Sequence, residues 1–344
     1  MKNDQKNQSS YLLDIIRVNI LNQSQSCTIM FSLSHPILPI KMLFYCHIKL
    51  NPTIFKSFTG LNVAEFEDLL PYFEKAWDEY REETFVKGKE RQRKPGGGAV
   101  PTTLRMHEDR LFFILVYVKL NPLQTILGFL FGMSQGRANE WIECLSIVLK
   151  KALGLAGDLP ARDAETAKSA LEESSVQEFI IDGTERRIQR PSESEKQKEY
   201  YSGKKKPHTL KNNLIVDGTT CIVEYLSPTV SGKTHDKALA DQSAVEFPPT
   251  SVLLQDSGFQ GYAPPDVIVL QPKKKPRGKE LTLSDRWMNH LISQARITVE
   301  HVIAGVKRSR IVKDVFRNTR NGYDDLAMEI ACGLHNNRTR HRNA

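Results

Sequence analysis

Apolar positions recur along this chain at two periods, and the change from one to the other divides it. Phe66, Leu70, Phe73, Trp77 and Tyr80 fall on one side of a 3.6-residue repeat, which predicts an amphipathic helix. Asn62, with Glu65 three positions on, has the form of a capping box at its start. The stripe covers only two heptads, so packing within the chain explains it better than a coiled-coil dimer. Three further helical segments are predicted over 104–153. Leu111, Phe112, Leu115 and Val118 mark the first; Leu123, Ile126, Leu127 and Leu130 the second; Ala138, Trp141, Ile142, Leu145 and Leu149 the third. Asn121-Pro122 opens the second, and Gly132-Met133-Ser134 closes it with Ser134 placed to cap the third. That layout is a helix-turn-helix, and it exposes Gln135, Arg137, Asn139 and Glu140 where a recognition helix reaches base edges. A three-helix packing unit without DNA contact is the alternative.

From residue 176 strands alternate with helices. Residues 176–182 predict a buried strand ending in Asp182-Gly183, with 186–190 as its hairpin partner; 213–217 and 221–226 pair around Asp217-Gly218. Further strands are expected at 251–256 and 267–270, and helices at 233–244 and 283–307. This order predicts an α/β fold, a mixed sheet with flanking helices, preceded by an all-α helix-turn-helix domain. The segments expected are a non-native or disordered leader at 1–41, with Met42 as initiator, and an N-terminal helical segment at 42–90. A basic Gly-rich linker at 91–103 leads to the helix-turn-helix domain at 104–155, a linker at 156–175 carrying one short helix, and the α/β domain at 176–344. The linker's Arg91 to Lys94 run reads either as solvated chain or as an arm lying along phosphates.

Charge narrows the partners. The 344 residues carry a net charge of +8, which favours an anionic partner; nucleic acid is the commonest large one, and ribosome- or membrane-associated proteins share such a balance. Five scattered cysteines, an odd count without a C-x-x-C pair, argue against a zinc finger and a disulfide framework, and point to a reducing cytoplasm. The apolar runs 28–50 and 111–133 are broken by Pro36, Pro39 and Lys41 and by Lys119, Asn121 and Pro122, so no membrane span is expected.

Asp182 and Asp256 each follow an apolar strand, at the sheet edge where sites collect. Glu300 lies on the long helix, with Arg296 and Lys307 on the same face. Taken singly, an Asp before Gly is a turn former and a helical Glu a salt-bridge partner. Together, three converging carboxylates repel one another unless a cation neutralises them, and oxygen-only ligands select magnesium or manganese. Two such ions about 4 Å apart are the clamp used for phosphodiester displacement, with Asp182 bridging both and Asp256 and Glu300 each completing one. Lys204, Lys205, Lys206 and Lys211 cluster between strands, where they either contact phosphate or are simply solvated. His235 reads as a cap or packing histidine.

Four ordered segments carry a resemblance: Asp182-Gly183-Thr184-Glu185-Arg186 with Arg190-Pro191, Tyr201-Ser202-Gly203-Lys204-Lys205-Lys206 with His208-Thr209, Asp256-Ser257-Gly258-Phe259, and Arg296 with Glu300 and Lys307. They resemble DDE-type insertion-sequence transposases, specifically the IS-five family and its Harbinger-like relatives. Gly232, His235 and Asp236 are similar to a further motif of that family, where a helix starts near the active site. One place departs: Ser293 stands where the family pattern has Tyr. The resemblance implies an RNase H-like catalytic fold for 176–344 and a magnesium-dependent triad of Asp182, Asp256 and Glu300. It also implies double-stranded DNA as partner, with cleavage at terminal inverted repeats and strand transfer into target DNA. A homo-oligomer pairing two ends, in a bacterial cytoplasm at the nucleoid, follows from the same likeness. A catalytically silent helix-turn-helix protein descended from a transposase, and a nuclease that does not rejoin strands, are the competing expectations.

Overall fold

The computed structural model describes residues 42–86, 103–174, 177–275 and 280–343. The expected leader at 1–41 and the glycines of the expected linker lie outside them.

The helical part opens with α1 (Tyr45–Ile48), α2 (Pro52–Thr59) and α3 (Val63–Val86). The capping box ahead of α3 forms: Glu65 N donates to Asn62 Oδ1 at 2.8 Å and Asn62 N to Glu65 Oε2 at 2.7 Å. Next come α4 (His107–Leu120), α5 (Gln124–Leu130) and α6 (Gln135–Leu155). Ser134 caps α6 by accepting from Arg137 N at 3.3 Å. The α3 stripe stays within the chain: Trp77 stacks toward Trp141 of α6 with ring centroids 5.9 Å apart. Every residue from Leu111 to Val118 is buried, so α4 is apolar all round and forms the centre of the bundle.

After α7 (Ala164–Glu172) come β1 (Glu178–Arg187), α8 (Ser194–Tyr200), β2 (Thr209–Asp217), β3 (Val223–Leu226) and β4 (Val230–Ser231). The chain closes with α9 (Asp236–Ser243), β5 (Val252–Gln255), β6 (Ile268–Leu270), α10 (Leu283–Val306), α11 (Arg310–Lys313) and α12 (Tyr323–Asn343). The sheet order is β3-β2-β1-β5-β6, with β4 paired to β2. β1 is antiparallel to β2 and parallel to β5, which makes the sheet mixed as expected.

One expectation is corrected. Residues 186–190 do not pair back on 176–182, because β1 runs on through Gly183 to Arg187 and its antiparallel partner is β2. The ladder to β2 extends to Arg187↔Thr209, so a glycine that reads as a turn lies inside a strand.

Alternation along the strands builds two cores. Phe179 and Ile181 of β1, Ile215 of β2 and Leu253 of β5 face α7 and α9, together with Phe247 and Phe259. Ile180, Leu214 and Leu254 face the other way and join α10, α12 and the helical bundle in one continuous core.

Two titratable groups, His335 buried and Glu224 half-buried, act on stability in opposite directions with pH. His335 of α12 contacts Cys221 O through Nε2 at 3.1 Å, and burial pulls its imidazole down to about 4. Its depressed value means that the stability it contributes is present above 6.5 and lost as pH falls toward about 4, roughly 3 kcal/mol in all. Burial, with Asp217 nearby, pushes the Glu224 carboxyl up to about 7, so its contribution is present at acid pH and lost as pH rises through about 7. Glu224→Gln is therefore expected to be more stable than wild type at pH 8, with the advantage gone by pH 4. Urea melts across that range check it; a constant difference would contradict it.

Candidate active site

Parallel pairing of β1 and β5 ends at Ile181↔Gln255, so the next residues, Asp182 and Asp256, stand side by side where the ladder stops. Asp182 is thus mid-strand with respect to β2 but past the strand end with respect to β5. Asp182 takes the side of Ile180 and Asp256 that of Leu254, which is the face covered by α10. Glu300 and Arg296 lie one turn apart on that helix. Asp182, Asp256, Glu300, Arg296 and Lys307 line one cavity of about 500 Å³, so the sheet and the helix bring all three expected acids to a single space.

Local bonds fix the two aspartates. Asp182 Oδ1 accepts from Gly183 N at 2.8 Å. Asp256 Oδ1 accepts from Ser257 N at 2.6 Å and caps the short turn Ser257–Phe259. Arg296 Nη1 stands 3.4 Å from Asp256 Oδ1. Burial pushes the Asp182 carboxyl above the usual carboxylate range; the Gly183 N–H and Arg296 pull it back, while Asp256 and Asp236 push it further up. Among the described residues, no three Asp, Glu, His or Cys side chains lie close enough to hold one ion between them. The donor chemistry still fits a hard divalent cation, since the acids on the cavity wall are carboxylates with no thiol or imidazole among them.

The basic residues divide. Lys204 and Lys205 reach the cavity rim from a hairpin closed by the Tyr201↔His208 bridge, and Lys206 lies exposed at the same tip with φ 62°. Lys307 caps α10 and donates to Glu185 O at 3.2 Å; burial, then Lys205 and Arg186, push it below the usual lysine range. Lys211 is not available for phosphate. It is 7% exposed, lies 2.9 Å from Asp236 Oδ1 and donates to Thr234 O at 2.7 Å. Its place opposite Glu185 in the β1–β2 ladder turns it toward the α9 face, so the lysine cluster expected from the sequence is split by strand alternation. His235 occupies the N-cap position of α9, and its side chain makes no cap bond.

On α6, Gln135 and Arg137 are exposed, and Arg137 Nη1 pairs with Glu140 at 2.7 Å. Asn139 is held inside the chain: its Oδ1 accepts from Gln124 Nε2 at 2.7 Å, and Gln135 Nε2 donates to Gln124 Oε1 at 2.7 Å. This polar bridge ties α5 to the start of α6 and leaves Gln135 and Arg137 as the outward pair. Asp236 and Glu185 also reach the cavity, and neither stood out in the sequence as a site residue by chemistry. For Glu185, three residues from Asp182 and so on the opposite strand face, the only signal was its place in the motif that begins at Asp182; for Asp236 it was only the motif around Gly232.

Comparisons with known proteins place both parts of the chain among families. The DDE superfamily endonuclease family matches residues 181–336, and the helix-turn-helix of DDE superfamily endonuclease matches residues 103–154. Over 251 residues the chain is 28% identical to a probable transposase for insertion sequence element IS702 of Microchaete diplosiphon, covering 73% of this chain and 86% of that protein. It is 24% identical over 210 residues to a putative transposase for insertion sequence element IS112 of Streptomyces albus G, covering 60% of this chain and 71% of that one. No solved structure matches significantly.

Proposed function

From a chain that belongs to the DDE-type insertion-sequence transposases, with a helix-turn-helix ahead of its endonuclease segment, we infer that Asp182, Asp256 and Glu300 hold the divalent metal on which such an endonuclease depends. The observation that carries this is the convergence of the three acids on one cavity from two adjacent parallel strands and the helix across them. The metal is magnesium or manganese, as two ions, and when bound it polarises the phosphate and lowers the pKa of the attacking water or 3′-hydroxyl. Arg296 holds Asp256 in place and brings positive charge close to Asp182. Lys204 and Lys205 bind the flanking phosphates at the rim, with Lys206 beside them and Lys307 deeper in the wall. Gln135 and Arg137 at the start of α6 enter the major groove of the element end, with Asn139 ordering that surface from behind.

The reaction is cleavage of a phosphodiester at the terminal inverted repeats, followed by joining of the 3′-hydroxyl to target DNA. Two ends must be held together, so the working form is a homo-oligomer, placed with its DNA at the bacterial nucleoid. No helix among the described residues is long and apolar enough to cross a membrane.

The test is a cleavage and strand-transfer assay with element-end duplexes and magnesium. Cleaved ends and joined products are expected, both lost on adding EDTA. Cleavage without joining would favour the nuclease, and binding without cleavage the silent DNA-binding protein. Lys204→Ala is expected to reduce the slope of log affinity against log salt by about 0.9, one phosphate contact. An unchanged slope would remove Lys204 from the DNA path.

A further inference from the structure

Helix α9 begins at Asp236, on the sheet face opposite α10. A Cβ on Gly183 would stand 2.8 Å from Asp236 Oδ1, and a Cβ on Gly258 would stand 2.9 Å from Asp236 Oδ2. One carboxylate therefore fills the room that two glycines leave, one directly after Asp182 and the other two residues after Asp256. Neither glycine has positive φ. The backbone there suits any residue, and it is the approach of Asp236 that requires a missing side chain.

The carboxylate is itself braced. Lys211 Nζ lies 2.9 Å from Oδ1, and Asn213, the ladder partner of Gly183, donates through Nδ2 to Asp236 O at 2.9 Å. The buried ammonium lies closest to Asp236 and 3.9 Å from Glu185 Oε1, so it offsets part of the negative potential that these two further acids bring to the cavity. Its location answers a mechanical need. Ladder bonds hold β1 to β5 only as far as Ile181↔Gln255, one residue short of the two aspartates. Beyond that point nothing in the sheet sets the spacing of Asp182 from Asp256, and Asp236 bridges the two chains where the ladder stops.

We propose that Asp236 is a positioning residue, whose carboxylate, braced by Lys211, sets the backbones of Gly183 and Gly258 and so the spacing of Asp182 and Asp256. This rests on the reading of those two aspartates as metal-holding groups.

The experiment uses the full chain and two readouts: Mn2+ binding followed by electron paramagnetic resonance without DNA, and kcat and KM for magnesium-dependent end cleavage. Asp236→Ala and the nearly isosteric Asp236→Asn are each expected to weaken Mn2+ binding and lower kcat by about 10-fold or more, with KM for DNA within about twofold, as for other residues that orient metal ligands. Gly258→Ala is expected to show the same defects, and Gly258→Ala combined with Asp236→Ala to recover part of both, because the added methyl then has room. Wild-type Mn2+ affinity and kcat in both Asp236 variants would overturn the proposal. So would a loss of Mn2+ as complete as in Asp182→Asn, which would make Asp236 a ligand, or a double variant no better than Gly258→Ala. Unaltered Mn2+ binding in Asp182→Asn would overturn the metal-holding reading, and this proposal with it, whatever Asp236 does.

Discussion

Asp182→Asn is expected to lower magnesium-dependent end cleavage by on the order of 10³-fold or more, while binding of the end duplex stays near wild type. The amide keeps the volume of the carboxyl and the acceptor for the Gly183 N–H. What it loses is the negative charge by which, on the proposed reading, Asp182 would help to hold a divalent cation. Folding is not expected to suffer. Burial pushes the Asp182 carboxyl above its usual range, so ionisation is the unfavourable state in the folded chain, and a neutral side chain removes that cost. Activity and stability should therefore move in opposite directions. The checks are single-turnover cleavage with magnesium, a DNA-binding titration, and a thermal melt in EDTA at neutral pH. A variant that still cleaves would remove Asp182 from the chemistry; one that melts well below wild type would attribute the loss to unfolding.

Much of this arrangement is legible from pattern. The capping box at Asn62 and Glu65, the serine cap of α6, the hairpin from β2 to β3 and the order of the three acids depend on residues close in sequence or on strand alternation. Local rules reach that far. They fail where one residue has two partners with different limits. Asp182-Gly183 reads as a strand end because glycine after aspartate is common in turns, yet the β2 ladder carries β1 five residues further. The strand does end there, but only on the β5 side. Lys211 reads as part of a basic cluster since composition does not say which face of a strand a lysine takes. Only the pairing Glu185↔Lys211 and the start of α9 turn it inward, onto Asp236. The packing of Asp236 behind Gly183 and Gly258 joins residues from three separate segments, and no local pattern carries it.

Arg186 shows the same limit at its most costly, and Arg186→Met is expected to lower stability by about 3 kcal/mol. From the sequence, Arg186 reads as first in a hairpin strand paired back on 176–182; in the fold its side chain is 1% exposed. It shares the face of Ile180 and Asp182, and burial pulls its guanidinium down to about 10. Nη1 donates to Asp324 O at 2.7 Å, and Nη2 to Asn212 Oδ1 at 2.8 Å and Thr229 Oγ1 at 3.0 Å. Thr229 in turn donates through Oγ1 to Asp325 Oδ1 at 2.7 Å, and Asp325 pairs with Arg162. One guanidinium thus joins β1 to β2, to the loop after β3 and to the start of α12. Two effects of opposite sign compete in the Met variant. Removing a desolvated charge is favourable, often by about 1–4 kcal/mol when an apolar side chain fills the volume. Losing the donor costs about 1–3 kcal/mol at each of the Asp324 carbonyl, Asn212 Oδ1 and Thr229 Oγ1, most at Asn212, which is fully buried. Three lost bonds outweigh one relieved charge, and the net is a loss. Arg186→Lys should be no better, because it keeps a buried charge and an ammonium cannot span acceptors that the planar fork meets in two directions. Urea unfolding of the three proteins at neutral pH decides the matter. A Met variant within about 1 kcal/mol of wild type would mean that the bonds only repay the burial of the charge, and that the junction of β1 with α12 is held by the apolar core instead.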